Sequence, residues 1–210
     1  MPDKTSFPDL EVLERTPAAP DSVEESSSQL LELSGLLRDA AESDFPRQVA
    51  AAASLIGDMV DRGGKLLVFG NGGSASDAQH LCGELVVRFR KNRRALPAIA
   101  LNCDAAVMTA CGNDFSYEEI FSRQIEALGK SGDAVLGIST SGKSPNVVRA
   151  LRAARSQQLT TILFTGKTDG PARAFADLIV AAPGFDTASI QLLHLAAYHI
   201  MCGFLDRRFS

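Results

Sequence analysis

The amino-acid sequence predicts an α/β fold, in which a five-stranded, mostly parallel sheet lies between two layers of helices and a helical segment precedes it. Five short apolar runs have strand character, helical segments separate them, and glycine-rich turns follow two of them. The chain has 210 residues, of which 45% are hydrophobic and 22% are charged. These values are typical of a globular chain that buries one core, so we predict a three-layer sandwich formed by one domain.

The N-terminal segment differs from the rest in composition. Residues 1–27 carry four of the nine prolines and seven acidic residues against two basic ones, without sustained periodicity. We therefore predict a disordered, mobile tail at 1–27 and a single domain at 28–210. The leucines that follow the tail repeat at helical spacing, Pro46 marks a break, and a second helix is predicted to end at Gly63 and Gly64.

Strands and helices alternate along the rest of the chain. The predicted strands are 65–69, 98–101, 134–138, 161–164 and 178–181. The predicted helices are 76–89, 117–128, 146–156 and 189–205. Because ligands bind beyond the carboxyl ends of the strands in such sheets, the turns that follow the strands are the first candidates for a site.

The charge of the chain limits the class of partner. The formal net charge of −4 argues against a dedicated nucleic-acid binder, so we expect no nucleic-acid partner. The basic run at 88–94 is predicted to be a solvated helix end, with one alternative, in which Arg88 faces a sugar phosphate.

The compartment follows from what the sequence lacks. We identify no stretch long and apolar enough to span a bilayer, and the N-terminus has neither the basic start nor the apolar run of a signal peptide. The four cysteines form no C-x-x-C pair, which favours reduced thiols over disulfides or a cysteine metal site. The sequence therefore predicts a cytoplasmic protein that does not enter a membrane.

The first glycine-rich turn lies at 70–74, between a predicted strand and a predicted helix. Its glycines let the backbone turn sharply and approach a ligand, and Ser74 suits the helix start. Because free N–H groups at a helix N-terminus attract anions, this turn is a candidate cradle for a phosphate or a polyhydroxyl group. His80 and Glu84 follow, four residues apart on one helix face. The turn also fits the dinucleotide fingerprint G-x-G-x-x-[GA], but the acidic residue that should hold a ribose about 20 residues later is missing.

The second glycine-rich turn, at 137–144, satisfies the P-loop pattern G-x-x-x-x-G-K-[ST]. Pro145 disfavours the helical conformation that a magnesium-binding serine would need directly before it, and no later strand ends in an acidic residue that completes a magnesium site. Hydroxyl groups and the N–H groups of the following helix would instead hold a phosphate monoester without magnesium. The hydroxyl groups belong to Ser139, Thr140, Ser141 and Ser144.

The C-terminal helix is apolar almost all round, which predicts burial in a core or in a subunit interface. Its polar exceptions are Gln191, His194, Tyr198 and His199. Gln191 and His199 are eight residues apart, about 12 Å along a helix, so one metal ion would join them only if both side chains stretch inward or if subunits share the ligands. We assign His194 to packing or to a supporting position beside the site.

Seven separated motifs occur in order along the chain. They are Gly-Asn-Gly-Gly-Ser at 70–74, His80-x-x-x-Glu84, Gly-Asn-Asp-Phe at 112–115, Phe-Ser-Arg-Gln at 121–124, Gly-Ile-Ser-Thr-Ser-Gly at 137–142, Thr-Gly-Lys at 165–167 and Gln191-x-x-His194-x-x-x-x-His199. Over residues 30–205 they resemble the sugar-isomerase (SIS) domain of phosphoheptose isomerases. The resemblance implies an isomerase that makes D-glycero-D-manno-heptose 7-phosphate from D-sedoheptulose 7-phosphate.

The resemblance also implies a role for each matching position. The hydroxyls of the 139–144 loop would bind the phosphate. The sugar contacts would be Asn71, Gly72, Gly73, Asn113 and Asp114, to which we add Ser74, Glu84, Arg88 and Gln191 as candidate substrate contacts. The zinc ligands would be His80, Glu84, Gln191 and His199, one zinc per subunit. The family resemblance further implies a homotetramer with its sites at the subunit interfaces.

The chemistry explains why such residue types are needed. Aldose–ketose exchange through an enediol needs a base beside C1 and C2 and an acid for the oxygens. We assign the carbon proton to Glu84 and an oxygen proton to His199, and the sequence leaves open whether Glu84 is also a tight zinc ligand. Two positions depart from the family pattern, namely Ala188, where some members have an acid, and Lys143, where asparagine is common.

One alternative belongs to another functional class. Non-catalytic SIS-domain proteins bind sugar phosphates as regulators, and one class associates with a replication initiator. A module that only binds has no need of an acid/base pair and a metal set. The presence of His80, Glu84, Gln191 and His199 therefore favours the isomerase.

Overall fold

The computed structural model describes residues 20–167 and 169–210 of the chain. The described residues fall into two units, one at 20–34 and one from residue 35 to residue 210. The sheet and every candidate site residue belong to the second unit.

Helix α1 (Pro20–Glu42) begins eight residues before the predicted start. The part of the predicted tail at 20–27 is therefore helical, contrary to our expectation. Pro20 needs no N–H in a first helical turn, and Asp21 complements the helix dipole, so both residues favour a helix start although their composition is also typical of a tail. Residues 1–19 of the predicted tail lie outside the described residues.

The sheet has five strands, all parallel, in the order β2-β1-β3-β4-β5. The strands are β1 (Leu66–Gly70), β2 (Ala98–Ala100), β3 (Ala134–Ile138), β4 (Thr160–Gly166) and β5 (Leu178–Ala182). Strands β1 and β3 are buried at every position, which explains why their sequences are continuous apolar runs without alternation. The predicted five-stranded α/β sandwich is confirmed, and every strand pair is parallel.

Six further helices complete the described fold. They are α2 (Phe45–Asp61), α3 (Gly73–Val86), α4 (Ala105–Asp114), α5 (Ser122–Leu128), α6 (Pro145–Ser156) and α7 (Thr187–Phe209), and short 3-10 turns occupy Tyr117–Glu119 and Pro171–Phe175. Helices α5 and α6 pack on one face of the sheet, against side chains such as Leu67 and Phe69. Helices α2, α3 and α7 pack together and contact strands β1, β4 and β5.

Two helix predictions differ from the structure, and one helix was missed. The predicted helix at 117–128 is a 3-10 turn followed by α5, and the helix predicted to reach residue 89 ends at Val86. Helix α4 was not predicted. Only Cys111 of α4 is buried, so this helix has no apolar periodicity to recognise, although Asp104 caps it by accepting a hydrogen bond from Val107 N at 3.0 Å.

Helix α7 corrects our expectation that no stretch could span a membrane. By length and composition alone it is long and apolar enough to do so, and half of its most apolar window is buried inside the fold. It packs against α2 and α3, and a buried core helix satisfies the same criteria.

The strand order places a crevice between the carboxyl ends of β1 and β3. Strand β1 leads through α3 to β2 on one side, whereas β3 leads through α6 to β4 on the other. The two connections diverge from neighbouring strands, which is the arrangement that opens a ligand crevice in parallel sheets. Both glycine-rich turns begin at this point.

Candidate active site

The two glycine-rich turns are joined by a pair of side-chain amides. Asn71 Nδ2 donates to Asn146 Oδ1 at 2.8 Å, and Asn146 Nδ2 donates back to Asn71 Oδ1 at 2.9 Å. Asn146 Oδ1 also accepts from Val147 N at 2.9 Å, and Tyr117 Oη donates to Asn71 Oδ1 at 3.0 Å. The pair therefore links the turn after β1 to the start of α6. Sequence analysis did not identify Asn146 or Tyr117 as site residues, and their only signal was their proximity to the motifs.

The turn after β1 presents its backbone to solvent. Gly72 has a φ of 57°, a left-handed conformation that glycine adopts without steric cost, and no atom lies within 4 Å of where its Cβ would be. Gly72 and Gly73 are exposed and Ser74 is buried. Helix α3 begins at Gly73, so the predicted cradle at a helix N-terminus is present at the crevice.

The predicted phosphate loop, residues 139–144, follows β3. The hydroxyls of Ser139 and Ser144 lie 3.2 Å apart, and Ser141 Oγ accepts from Lys143 N at 3.2 Å. Ser144 has a non-helical ψ of 117°, as expected of a residue before proline, and α6 begins at Pro145. Serine hydroxyls therefore surround the start of α6, whereas the Lys143 side chain is exposed.

Three predicted residues from two helices converge on one point. His80 and Glu84 of α3 and His199 of α7 each offer a ligand atom, and these atoms all lie within 4.8 Å of one another. His80 Nε2 lies 3.1 Å from Glu84 Oε1, and the centroids of the His80 and His199 rings are 5.1 Å apart. Two imidazoles and a carboxylate at this spacing are an N/O set that suits zinc.

The His199 ring is partly shielded from solvent. Its Nε2 is buried and has no hydrogen-bond partner in the described part of the chain. Burial and the neighbouring His80 lower the pKa of His199, so its ring favours the neutral form that either a metal ligand or a proton acceptor requires. Phe89 covers the ring at a centroid distance of 5.3 Å.

Two residues that the sequence did not single out as site residues, Tyr198 and Asp77, support the cluster. Tyr198 Oη lies 2.9 Å from His80 Nδ1 and donates to Asp77 Oδ1 at 3.4 Å. Burial raises the pKa of Asp77 and that of Tyr198. The only sequence signal was that Tyr198 is a polar exception on an apolar helix.

Gln191 contacts the start of α3. A Cβ atom on Gly73 would sit 2.4 Å from Gln191 Nε2, so the Gln191 amide packs directly on the first residue of α3. His80 follows seven residues later, roughly 10 Å along the helix. The structure thus brings three of the four predicted zinc ligands within 4.8 Å of one another, and the contact that it shows for the fourth, Gln191, lies at the glycine-rich turn.

The remaining predicted contacts lie on the surface. Asn113 and Asp114, at the end of α4, are exposed, and Asn113 Nδ2 donates to Asp114 Oδ1 at 2.8 Å. Arg88 is also exposed and donates to Asn92 Oδ1 at 3.1 Å, within its own segment. These side chains are free to turn toward a ligand, but here they contact their neighbours.

The basic segment 88–94 is mostly exposed, as predicted, but it is not a helix end and the side chain of one of its members is buried. It lies beyond the end of α3, and the side chain of Arg93 is fully buried against Asp206. The Asp206 carboxylate also accepts from the backbone N–H groups of Arg90 and Lys91, at 2.8 and 2.9 Å. Burial alone would raise the pKa of Asp206, but these hydrogen bonds together with Arg93 lower it.

His194 is a packing residue, as predicted. It is completely buried, its Nε2 lies 3.2 Å from the carbonyl oxygen of Thr165, and its ring contacts Phe164. Burial lowers the pKa of His194 to about 4, so the ring is neutral near pH 7.

The chain is similar to known proteins in both sequence and structure. Residues 32–166 match the SIS domain family. A phosphoheptose isomerase of Paramagnetospirillum magneticum is 52% identical over 163 residues, which cover 78% of this chain and 83% of that protein. Solved phosphoheptose isomerases of Neisseria gonorrhoeae and Francisella tularensis superpose with TM-scores of 0.82 and 0.83, at 35% and 33% identity. Each superposition covers 89% of this chain and nearly all of the other, 99% and 98% respectively.

Proposed function

This chain belongs to the phosphoheptose isomerase family of SIS-domain enzymes, and we propose that it converts D-sedoheptulose 7-phosphate into D-glycero-D-manno-heptose 7-phosphate. The observation that carries this proposal is the convergence of His80, Glu84 and His199 from two helices. A protein that only binds a sugar phosphate has no use for a carboxylate and two imidazoles at one point. An isomerase needs such groups to move protons.

The substrate would lie across the crevice with its phosphate in the 139–144 loop. The hydroxyls of Ser139, Thr140, Ser141 and Ser144 and the start of α6 would hold the phosphate oxygens. The sugar hydroxyls would meet the exposed turn after β1, and the remaining contacts would come from side chains at the rim. These contacts are Asn71, Gly72, Gly73, Ser74, Arg88, Asn113, Asp114 and Gln191.

The reaction would proceed through an enediol. Glu84 would remove the proton from one of the two reacting carbons and return it to the other, because its carboxylate is partly exposed at the cluster. His199 would exchange a proton with the substrate oxygens while its Nε2 is not bound to zinc, because this atom has no other partner among the described residues. Phe89, packed on the His199 ring, would limit the access of water to that proton.

The residues present fit a zinc ion. His80, Glu84 and His199 would hold it, and the orphaned Nε2 of His199 is a group that a metal would satisfy. Zinc, when bound, would polarise the substrate carbonyl as a Lewis acid. Gln191 is the fourth predicted ligand, but because its amide packs at Gly73 of the glycine-rich turn, we propose that it primarily contacts the substrate.

We further propose a cytoplasmic homotetramer. Leu37, Ile200 and Phe204 line an apolar groove of about 200 Å³, and these residues are 43%, 50% and 42% exposed. Clustered apolar exposure of this kind is typical of a subunit interface. Light scattering of the purified protein should give the mass of four chains, and a monomer at all concentrations would contradict this assembly.

The decisive experiment follows conversion of D-sedoheptulose 7-phosphate by the purified protein in D2O. We expect the aldoheptose phosphate with deuterium at C2, because an enediol exchanges its carbon proton with solvent through Glu84. Glu84→Gln, which keeps the shape of the side chain, should bind the substrate and abolish turnover. Binding without turnover by the unmodified protein would instead indicate a regulatory module.

A further inference from the structure

His80 belongs to a line of polar contacts that links Glu84, His80, Tyr198 and Asp77. Tyr198 lies on α7, and the other three residues lie on α3. On one side of the ring, Nε2 is 3.1 Å from Glu84 Oε1, inside the cluster. On the other side, Nδ1 is 2.9 Å from Tyr198 Oη, which in turn is 3.4 Å from Asp77 Oδ1. Both ring nitrogens therefore have a defined neighbour, and only one of them faces the cluster.

The protons in this line can be assigned by counting donors and acceptors. A carboxylate only accepts, so Tyr198 gives its single proton to Asp77. The Tyr198 oxygen is then the acceptor for the His80 ring, and Nδ1 carries the ring proton. When a metal ion replaces the contact between His80 Nε2 and Glu84 Oε1, the proton on Nδ1 leaves Nε2 with a lone pair that faces Glu84 and His199, as a metal ligand requires.

The surroundings hold this line in place. Tyr198 is completely buried, and its ring stands edge-on to the His80 ring at a centroid distance of 5.3 Å. Asp77 Oδ2 is buried and has no hydrogen-bond partner in the part of the chain that is described. Because one oxygen of the buried Asp77 carboxylate has no hydrogen-bond partner, loss of the hydrogen bond that Tyr198 donates to the other oxygen would be costly.

We infer that Tyr198, supported by Asp77, is a positioning residue that fixes the ring orientation and tautomer of His80 so that Nε2 binds zinc. This inference rests on the zinc site of the proposed function and adds two residues to it. Partners that orient a metal-binding histidine through its second nitrogen usually matter for affinity, typically by roughly 10- to 100-fold.

The test is the affinity of the metal-free protein for zinc alone, measured by competition with a chromophoric chelator. Tyr198→Phe removes the hydroxyl and keeps the ring, and we expect zinc binding to weaken roughly 10- to 100-fold. The chain has two tyrosines, so Tyr117→Phe is the matched control. Tyr117 bonds to Asn71 and not to His80, and its removal should leave zinc affinity unchanged. Asp77→Asn, which keeps the shape but not the charge, should give a smaller loss than Tyr198→Phe.

A second readout separates positioning from a general loss of structure. The chain has only three histidines, so the nitrogen-15 spectrum of the zinc-loaded protein can be resolved residue by residue. We expect His80 to carry its proton on Nδ1, with a proton resonance shifted downfield by the hydrogen bond to Tyr198. Tyr198→Phe should move that resonance upfield, while the melting temperature of the metal-free variant stays close to that of the Tyr117→Phe control.

The possible outcomes are distinct. Equal zinc affinity for the unmodified protein and for a folded Tyr198→Phe would overturn the role of Tyr198 and leave the zinc site standing. A His80 proton on Nε2 in the zinc-loaded protein would overturn the inference without any variant. Absence of zinc binding by the unmodified protein would refute the zinc site, and with it this role of Tyr198.

Discussion

Arg93 Nε donates to the carboxylate of Asp206 at 3.0 Å, and both side chains are buried. The same guanidinium donates to the carbonyl oxygens of Glu84 and Leu85, at 2.7 and 2.8 Å. Arg93 thus joins the last turn of α3, which carries Glu84, to the end of α7. The buried ion pair of Arg93 and Asp206 therefore supports the backbone of Glu84, the residue that we propose moves the carbon proton.

Arg93→Ala should lower the free energy of unfolding by about 3–5 kcal/mol, because it leaves the Asp206 carboxylate buried without its charge partner. Chemical denaturation measures this loss. Arg208→Ala is the control, since Arg208 also pairs with carboxylates, those of Asp58 and Asp61, but at the solvent-exposed surface. We expect a far smaller effect there, and equal losses in the two variants would contradict the importance of burial.

The neutral His194 makes stability depend on pH. Its folded pKa, about 4, is below the ordinary value of 6.5, so the unfolded chain takes up the proton first as the pH falls. This residue should therefore remove about 2 kcal/mol of stability between pH 7 and pH 5, and the loss should be complete only below pH 4, where the folded ring is also protonated. Chemical denaturation at both pH values measures the effect.

The matched variant for this prediction is His194→Leu, which retains an apolar group in the cavity and cannot titrate. Its stability at pH 7 will differ from that of the unmodified protein, but its fall between pH 7 and pH 5 should be smaller by the same amount. All other titrating groups remain in both proteins, so their contributions cancel. An identical fall in the two proteins would show that folding does not lower the pKa of His194.

Gly170 is a sensitive point of the phosphate loop. A Cβ atom there would lie 2.4 Å from the backbone oxygen of Gly142, and backbone cannot give way as a flexible side chain does. Gly170→Ala should therefore displace the 139–144 loop and raise KM for the sugar phosphate strongly. Gly112→Ala is the control, because no atom lies within 4 Å of the corresponding Cβ, and steady-state kinetics of both variants compare them. An unchanged KM in Gly170→Ala would show that this loop does not bind the substrate.

Gln191 and His80 should behave differently when each is changed to alanine. His80→Ala removes one of three convergent ligands, so its zinc content after purification without added metal should fall sharply. Gln191→Ala should keep its zinc and raise KM, because the Gln191 amide lies at the glycine-rich turn. Elemental analysis measures the zinc in both proteins. Loss of zinc from Gln191→Ala would restore Gln191 to the ligands, as the family resemblance implied.

The sheet was predictable because its central strands are short, continuous apolar runs. The turn at 139–144 was predictable because its hydroxyl residues are directly followed by Pro145, which begins α6. Helix α4 was not, since its faces are mostly exposed and carry no apolar period. Propensity also failed to reveal that α1 begins at Pro20.

The site was predictable only where its residues are close in sequence or form a motif. His80 and Glu84 share one helix face, and the resemblance supplied His199. The contact between Tyr198 and His80 joins residues 118 positions apart, and Arg93 and Asp206 are separated by 113. A basic run is normally solvated, and only the folded chain shows that one of its members is buried against a distant carboxylate.

The reciprocal hydrogen bonds between the side-chain amides of Asn71 and Asn146 limit which substitutions the two positions can accept during evolution. Each amide gives a proton to the other and takes one back, so a change at either position leaves the other without its complement. Substitution at one position should then be tolerated only together with a compensating substitution at the other. Among related sequences we expect these two positions, 75 residues apart, to covary.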